Sequence, residues 1–171
     1  DGEMPAEVRC FSDLPSSEKP AVLRECRRIA ESVYGGLDLG GEILSIDRAG
    51  FGDTILLGQE SAMTGFACCH QGRGSEAGSP QTVVKFAAVR SAANASSEFE
   101  KLMAACEAFA ALRGTNRLVA GTNTGRTECY EAMLDMGFRS WMNGIAMLKT
   151  AGGDGNDGYN VPGVFSVDDW R

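Results

Sequence analysis

A chain of 171 residues, 43% hydrophobic and 23% charged, is long enough to bury one ordinary core and has the balance of a folded globular domain. Its net charge of −7 argues against a broad surface for nucleic acid or acidic lipid, and no apolar run approaches the roughly 20 residues of a transmembrane helix. The first ten residues, DGEMPAEVRC, lack the basic and apolar regions of a secretory leader, and the six cysteines show no CxxC pair. The expectation is a cytoplasmic protein with buried thiols, favoured over a disulfide framework, and no metal site.

In chain order, residues 6–11 read as a short strand ending at Ser12, Asp13, Leu14 and Pro15. Ser17 is a candidate N-cap for a helix in which Leu23, Cys26, Ile29, Ala30 and Val33 keep helical spacing. Pro20 falls in its tolerant first turn, and Gly35 and Gly36 stop it. A shorter helix is expected over 42–49. Strands at 54–57 and 65–69, joined around Gln59, Glu60 and Ser61, make a meander hairpin. A polar, Gly-rich loop over 71–80 leads to a strand from Thr82 carrying Val83, Val84, Phe86 and Val89.

The helix expected over 97–113 has an apolar stripe of Phe99, Leu102, Met103, Cys106, Phe109 and Ala110, closed by Gly114. A short strand, Leu118 to Ala120, precedes a helix over 124–136 stopped by Gly137. Apolar runs at 138–142 and 145–149 flank Asn143 and Gly144, the strongest short hairpin signal. Residues 151–158, AGGDGNDG, have linker composition. Tyr159, Phe165 and Trp170 make the segment 159–171 too apolar for a free tail, so it is expected to pack on the domain, 1–150, or on a partner.

Strand, helix, strand, helix over 82–138 predicts a parallel βαβ unit. The helix N-terminus then opens beside the end of the first strand, where backbone N–H groups and the helix dipole suit an anion. The full order is β-α-α-β-β-β-α-β-α-β-β. Together with the run from Tyr130 to Gly137 and Phe138, the segment Val119 to Asn123 and the segment Phe86 to Val89, it resembles the GNAT N-acetyltransferase superfamily. By topology the resemblance covers most of the chain, and by residue motif it covers 82–149.

This resemblance implies an α/β fold with a central mixed β-sheet flanked by helices, and acyl-CoA, with acetyl-CoA foremost, as co-substrate in a V between the fourth and fifth strands. It places the pantetheine arm on Ala88, Val89 and Arg90. The pyrophosphate loop falls on residues 94–99, with Asn94, Ser96 and Ser97 as its contacts, and Asn123 and Arg126 line the cleft from the next helix. It also implies a tyrosine that protonates the departing thiolate, a task that suits a phenol at pH 7. Counting back from Gly137 puts the family tyrosine on Met133 and its asparagine on Arg126. One extra helical turn moves these roles to Tyr130 and Asn123.

The loop departs from the family pattern, because Ser97 and Phe99 stand where glycine or alanine is usual. Glycine permits close backbone approach that a side chain obstructs. Ser97 and Glu100 have capping-box spacing, which would occupy the N–H groups a phosphate needs, and Glu98 and Glu100 add negative charge. Arg90 and Lys101 are the cations placed to offset them. A capped core helix and an altered pyrophosphate loop both fit.

For a general base, His70 at a strand end and Glu76 beside it are candidates, with a solvated histidine and a surface charge as the plainer readings. A water chain is the family's other route. Cys68 and Cys69 have no basic partner at a recognisable spacing and read as packing. Two functions follow: an N-acyltransferase acting on a small-molecule or peptide amine, or a catalytically inactive GNAT-fold domain with a binding or structural role. The final hairpin and the tail are the surfaces through which a homodimer would form.

Overall fold

The computed structural model describes residues 4–59, 62–145 and 163–168. Strands β1 (Val8–Cys10), β2 (Gly52–Leu57), β3 (Gly65–Gly72) and β4 (Gly78–Val89) pair antiparallel in that order. A further strand, β5 (Leu118–Ala120), lies parallel to β4 through Thr82↔Leu118, Val83↔Val119 and Val84↔Ala120. Parallel neighbours need a long crossover, and α3 (Ala95–Leu112) supplies it. Two helices, α1 (Lys19–Val33) and α2 (Gly40–Ala49), precede β2, and α4 (Thr127–Asp135) follows β5. The expected mixed sheet flanked by helices is the one observed.

Successive strand residues face opposite sides, so the sheet has two cores. On one face Phe99, Leu102, Met103 and Cys106 of α3, with Cys129 and Met133 of α4, pack against Ile55, Ala67, Val84 and Ala87. On the other, Val22, Cys26 and Ile29 of α1, with Ile43 and Ile46 of α2, cover Leu56, Phe66, Cys68 and Phe86.

The ladder between β3 and β4 carries the feature that shapes the site. Cys68 pairs with Phe86 but Cys69 pairs with Val84, leaving Lys85 as an extra residue on β4. Such a bulge bends its strand and raises its twist. Here it coincides with a change of partner on the opposite edge. Before Lys85, β4 pairs with β5; after it, Phe86, Ala87 and Ala88 pair antiparallel with Asp168, Val167 and Ser166 of β6 (Ser166–Asp168).

Several boundaries differ from expectation. Helix α1 starts at Lys19 with Glu18 at the N-cap and no side-chain cap bond, so Ser17 does not cap it. Helix α2 starts at Gly40, whose N–H donates to Asp38 Oδ1 at 2.8 Å. The loop expected over 71–80 shrinks because the ladder continues to a Gly72↔Gly78 pair. The strand expected over 138–142 is not formed: residues 139–145 are exposed and, among the described residues, have no ladder partner, which a strand needs to satisfy its backbone. The rest of that hairpin, the linker 151–158, Tyr159 and Trp170 lie outside the described residues.

Candidate functional site

The parting of β4 from β5 at the bulge makes a fork at the end of β4, the strand on which the sequence places Ala88, Val89 and Arg90. Backbone groups alternate sides along a strand, so Val89 faces the fork while Ala88 and Arg90 turn toward β3. The Arg90 N–H donates to the Thr64 carbonyl at 2.7 Å, and the Val89 N–H donates into the fork, to the Phe165 carbonyl at 3.4 Å. Strand β6 also reaches the other arm, since the Asp168 N–H donates to the Gly121 carbonyl at 3.0 Å just beyond β5. The fork is therefore bridged by the chain's own residues 163–168.

Side chains fasten the same segment. Val167 is fully buried, and Phe165 sits against Phe99 with ring centroids 5.8 Å apart. Phe99 occupies the position where the family resemblance implies a small residue, and it is 0% exposed. Arg126 stands at the N-cap of α4, 4% exposed, and its Nη1 donates to Ser166 Oγ and to Asp168 Oδ2, the latter at 2.7 Å. Arg126 Nε and Asp168 Oδ1 are buried and find no partner among the described residues, so the ion pair is incomplete. Thr122 Oγ1 donates to the Ser166 carbonyl at 3.2 Å, and Cys129 Sγ lies 3.5 Å from the same oxygen. Burial raises the Cys129 thiol above its ordinary range, which keeps it a packing group.

The first turn of α3 differs from the capping box the sequence suggested. Asn94 is at the N-cap, and it makes no side-chain cap bond. Ser97 Oγ donates to the Asn94 carbonyl at 2.9 Å, and Ser96 Oγ lies 3.4 Å from Glu100 Oε1. Asn94, Ser96 and Ser97 are exposed. The acidic obstacle is also smaller than expected. Glu98 points inward and accepts from Thr64 Oγ1 at 2.7 Å and Lys101 Nζ at 2.8 Å. The Lys101 bond, and then the Thr64 bond, hold its carboxyl below the usual range. Arg90 is likewise engaged, with its guanidinium on Glu25 and, at 2.7 Å, on the Met63 carbonyl.

On α4, Arg126 and Cys129 make the contacts with β6, and Met133 enters the core. Tyr130 is half-buried, its hydroxyl 3.2 Å from Ser140 Oγ. Asn123 turns its Oδ1 onto the Gly125 N–H at 2.8 Å, and its carbonyl accepts from the Arg126 N–H. His70 is 8% exposed, not solvated, with Nε2 2.6 Å from Glu42 Oε1. It pairs with Val83, five residues along β3 from Gly65 at the fork's mouth, roughly 17 Å away. Glu76 places both oxygens 2.7 Å from Lys85 Nζ. Cys68 and Cys69 are fully buried, and desolvation pushes the Cys68 thiol up to about 12.

Sequence reasoning missed Ser166 and Asp168 as partners of Arg126, and Phe165 as the ring on Phe99. The alternation of Val164, Phe165, Ser166, Val167 and Asp168 was the available signal for a strand. Nothing local indicated which edge it would join.

Among the described residues, no helix is long and apolar enough to cross a membrane, and no group of three His, Cys, Asp or Glu side chains could hold a metal. No family model and no curated protein matches the chain. It is similar to wild-type TTHA1254 from Thermus thermophilus, with 20% identity, a TM-score of 0.52, and coverage of 86% of this chain and 98% of that one. It is also similar to the aminoglycoside N-acetyltransferase AAC(6')-Iy, solved in complex with CoA, at 17% identity and a TM-score of 0.60 over 83% of this chain and 93% of that one. The chain shares the mixed-sheet fold of that acetyltransferase, and in this chain β4 and β5 pair only over Thr82–Val84.

Proposed function

We propose that this chain is an acyl-CoA-dependent N-acyltransferase, with acetyl-CoA as the donor and an amine of a small molecule or peptide as the acceptor. The observation that carries the reading is the fork. A parallel β4–β5 pair parts at the Lys85 bulge, with the first turn of α3 at its mouth, in a fold shared with an acetyltransferase solved with CoA. Val89, between Ala88 and Arg90, offers the backbone edge for a pantetheine arm. The first turn of α3, with Ser96 and Ser97 exposed after Asn94, offers N–H and hydroxyl donors to phosphate. Asn123 and Arg126 stand at the start of α4, where the guanidinium is a hydrogen-bond donor for oxygen ligands.

In direct transfer the amine nitrogen forms the amide bond as the thioester C–S bond breaks, and the departing thiolate takes a proton. Tyr130 is the acid in this reading. The proton released by the amine goes to water in this reading, because the His70 ring is held by Glu42. Titrating acetyl-CoA against the purified protein by calorimetry is the test, and no heat of binding at millimolar concentration would sink the reading.

A second reading is favoured by one specific observation. Phe99, where a small residue is usual, is fully buried against Phe165 of the segment that already pairs with β4. That arrangement supports a GNAT-fold domain whose fork is closed by its own strand and whose role is binding or structural. The same titration separates the two.

A further inference from the structure

We infer that residues 163–168 are an internal competitor for the acyl-CoA fork, a tethered strand that must leave β4 before the pantetheine arm can enter. This rests on the acyltransferase reading above. A strand edge carries one set of N–H and C=O groups, so it cannot serve two partners at once. Beyond the bulge that edge belongs to β6, through Phe86↔Asp168, Ala87↔Val167 and Ala88↔Ser166, and the Val89 N–H is on the Phe165 carbonyl. The Asp168 N–H on Gly121 closes the fork from its other arm.

The segment also stands in for ligand charge. Arg126 is buried, and the groups on its guanidinium are Ser166 and Asp168 of the same strand. A buried cation stripped of its anion is costly, so this strand leaves readily only when another oxygen ligand replaces it. Acyl-CoA carries amide and phosphate oxygens and is such a ligand. The hold is also built to be released. Among the described residues one oxygen of Asp168 and the Nε of Arg126 stay unmatched, β6 is three residues long, and ahead of it the Gly163 N–H donates to exposed Glu128.

The test keeps the whole chain and uses acetyl-CoA as the probe. Ala87 and Val167 are register partners, and facing residues of an antiparallel pair have Cα atoms about 4.5–5.5 Å apart, inside the range a disulfide spans. The Ala87→Cys/Val167→Cys double variant, oxidised, pins the segment to β4, and reduction releases it. Asp168→Ala loosens the segment without a crosslink. Acetyl-CoA affinity is measured calorimetrically for the parent, for Asp168→Ala, and for the double variant oxidised and reduced, with the crosslink verified by peptide mass.

The expected results are binding at least tenfold tighter in Asp168→Ala than in the parent, and a loss of at least a hundredfold on oxidising the double variant, reversed by reductant. If oxidised and reduced forms bind alike, or Asp168→Ala binds as the parent does, the competition is overturned while the acyl-CoA reading stands. If none of the four preparations binds, the acyl-CoA reading falls and takes the competition with it. Asp168→Ala decides the matter if the crosslink does not close, and the double variant decides it if Asp168→Ala does not fold.

Discussion

Replacing Phe165 by alanine asks whether the C-terminal strand is docked in solution. The ring is 8% exposed and lies against Phe99 at 5.8 Å with the planes at 46°. Truncating a buried phenylalanine costs about 3–5 kcal/mol, of which about 0.5–1.5 kcal/mol belongs to the aromatic pair itself. In a domain of this size each kcal/mol lowers Tm by roughly 2–4 °C, so Phe165→Ala should lose roughly 6–20 °C if the strand unfolds with the domain. Thermal melts followed by circular dichroism read this directly. A double-mutant cycle with Phe99→Ala should return the pair's share as a coupling energy. Where the strand detaches before the domain melts, the loss is capped at its own docking free energy, and faster exchange of the Val167 amide reveals that case. A variant within about 1 °C of the parent, with no coupling to Phe99 and no change in Val167 exchange, would refute the docking.

Three other outcomes are expected. Tyr130→Phe should reduce acetyl transfer by roughly 10²- to 10⁴-fold while leaving acetyl-CoA affinity in place, and unchanged turnover removes Tyr130 from the chemistry. Gly52→Ala should cost more than about 4 kcal/mol in chemical denaturation, because Gly52 has φ +131° and a Cβ there would sit 1.9 Å from the Cys69 carbonyl oxygen; an unaltered midpoint contradicts the β2–β3 register. The thiols should resist labelling at pH 8 in the native protein and react fully on denaturation. Burial pushes Cys10 and Cys68 up to about 12 from an ordinary 9.0, leaving roughly one part in 10⁴ as thiolate at that pH. Their stabilising share is complete below pH 9 and is lost as pH rises through about 12, so a stability profile that stays flat over that window contradicts the burial.

The local parts of this fold were legible in the chain. The apolar stripe from Phe99 to Ala110 marked α3, Leu118 to Ala120 marked β5, and the strand-helix-strand order called for a parallel pair. These follow from side-chain periodicity and turn chemistry within a dozen residues, so composition and order suffice for them. For the site, the chain pointed to the end of β4 and the starts of α3 and α4 as expected positions. Of the expected positions, Val89 turns its backbone to the fork and Arg126 meets β6, yet Arg90 is engaged by Glu25, and Glu98 turns inward to Lys101.

What the tertiary structure decided depends on groups far apart in the chain. No local pattern says that Lys85 is the unmatched residue of the β3–β4 ladder, because a bulge is defined by its partner's register. Nor does any say that Arg126 will meet Asp168 across 42 residues, or that Phe165 will fill the space beside Phe99. A strand has two edges and no sequence code for its neighbour beyond which face is apolar. The sequence by itself determined a β-α-β scaffold able to part into a fork. Only long-range packing decided that the chain's own C-terminal strand would lie in it.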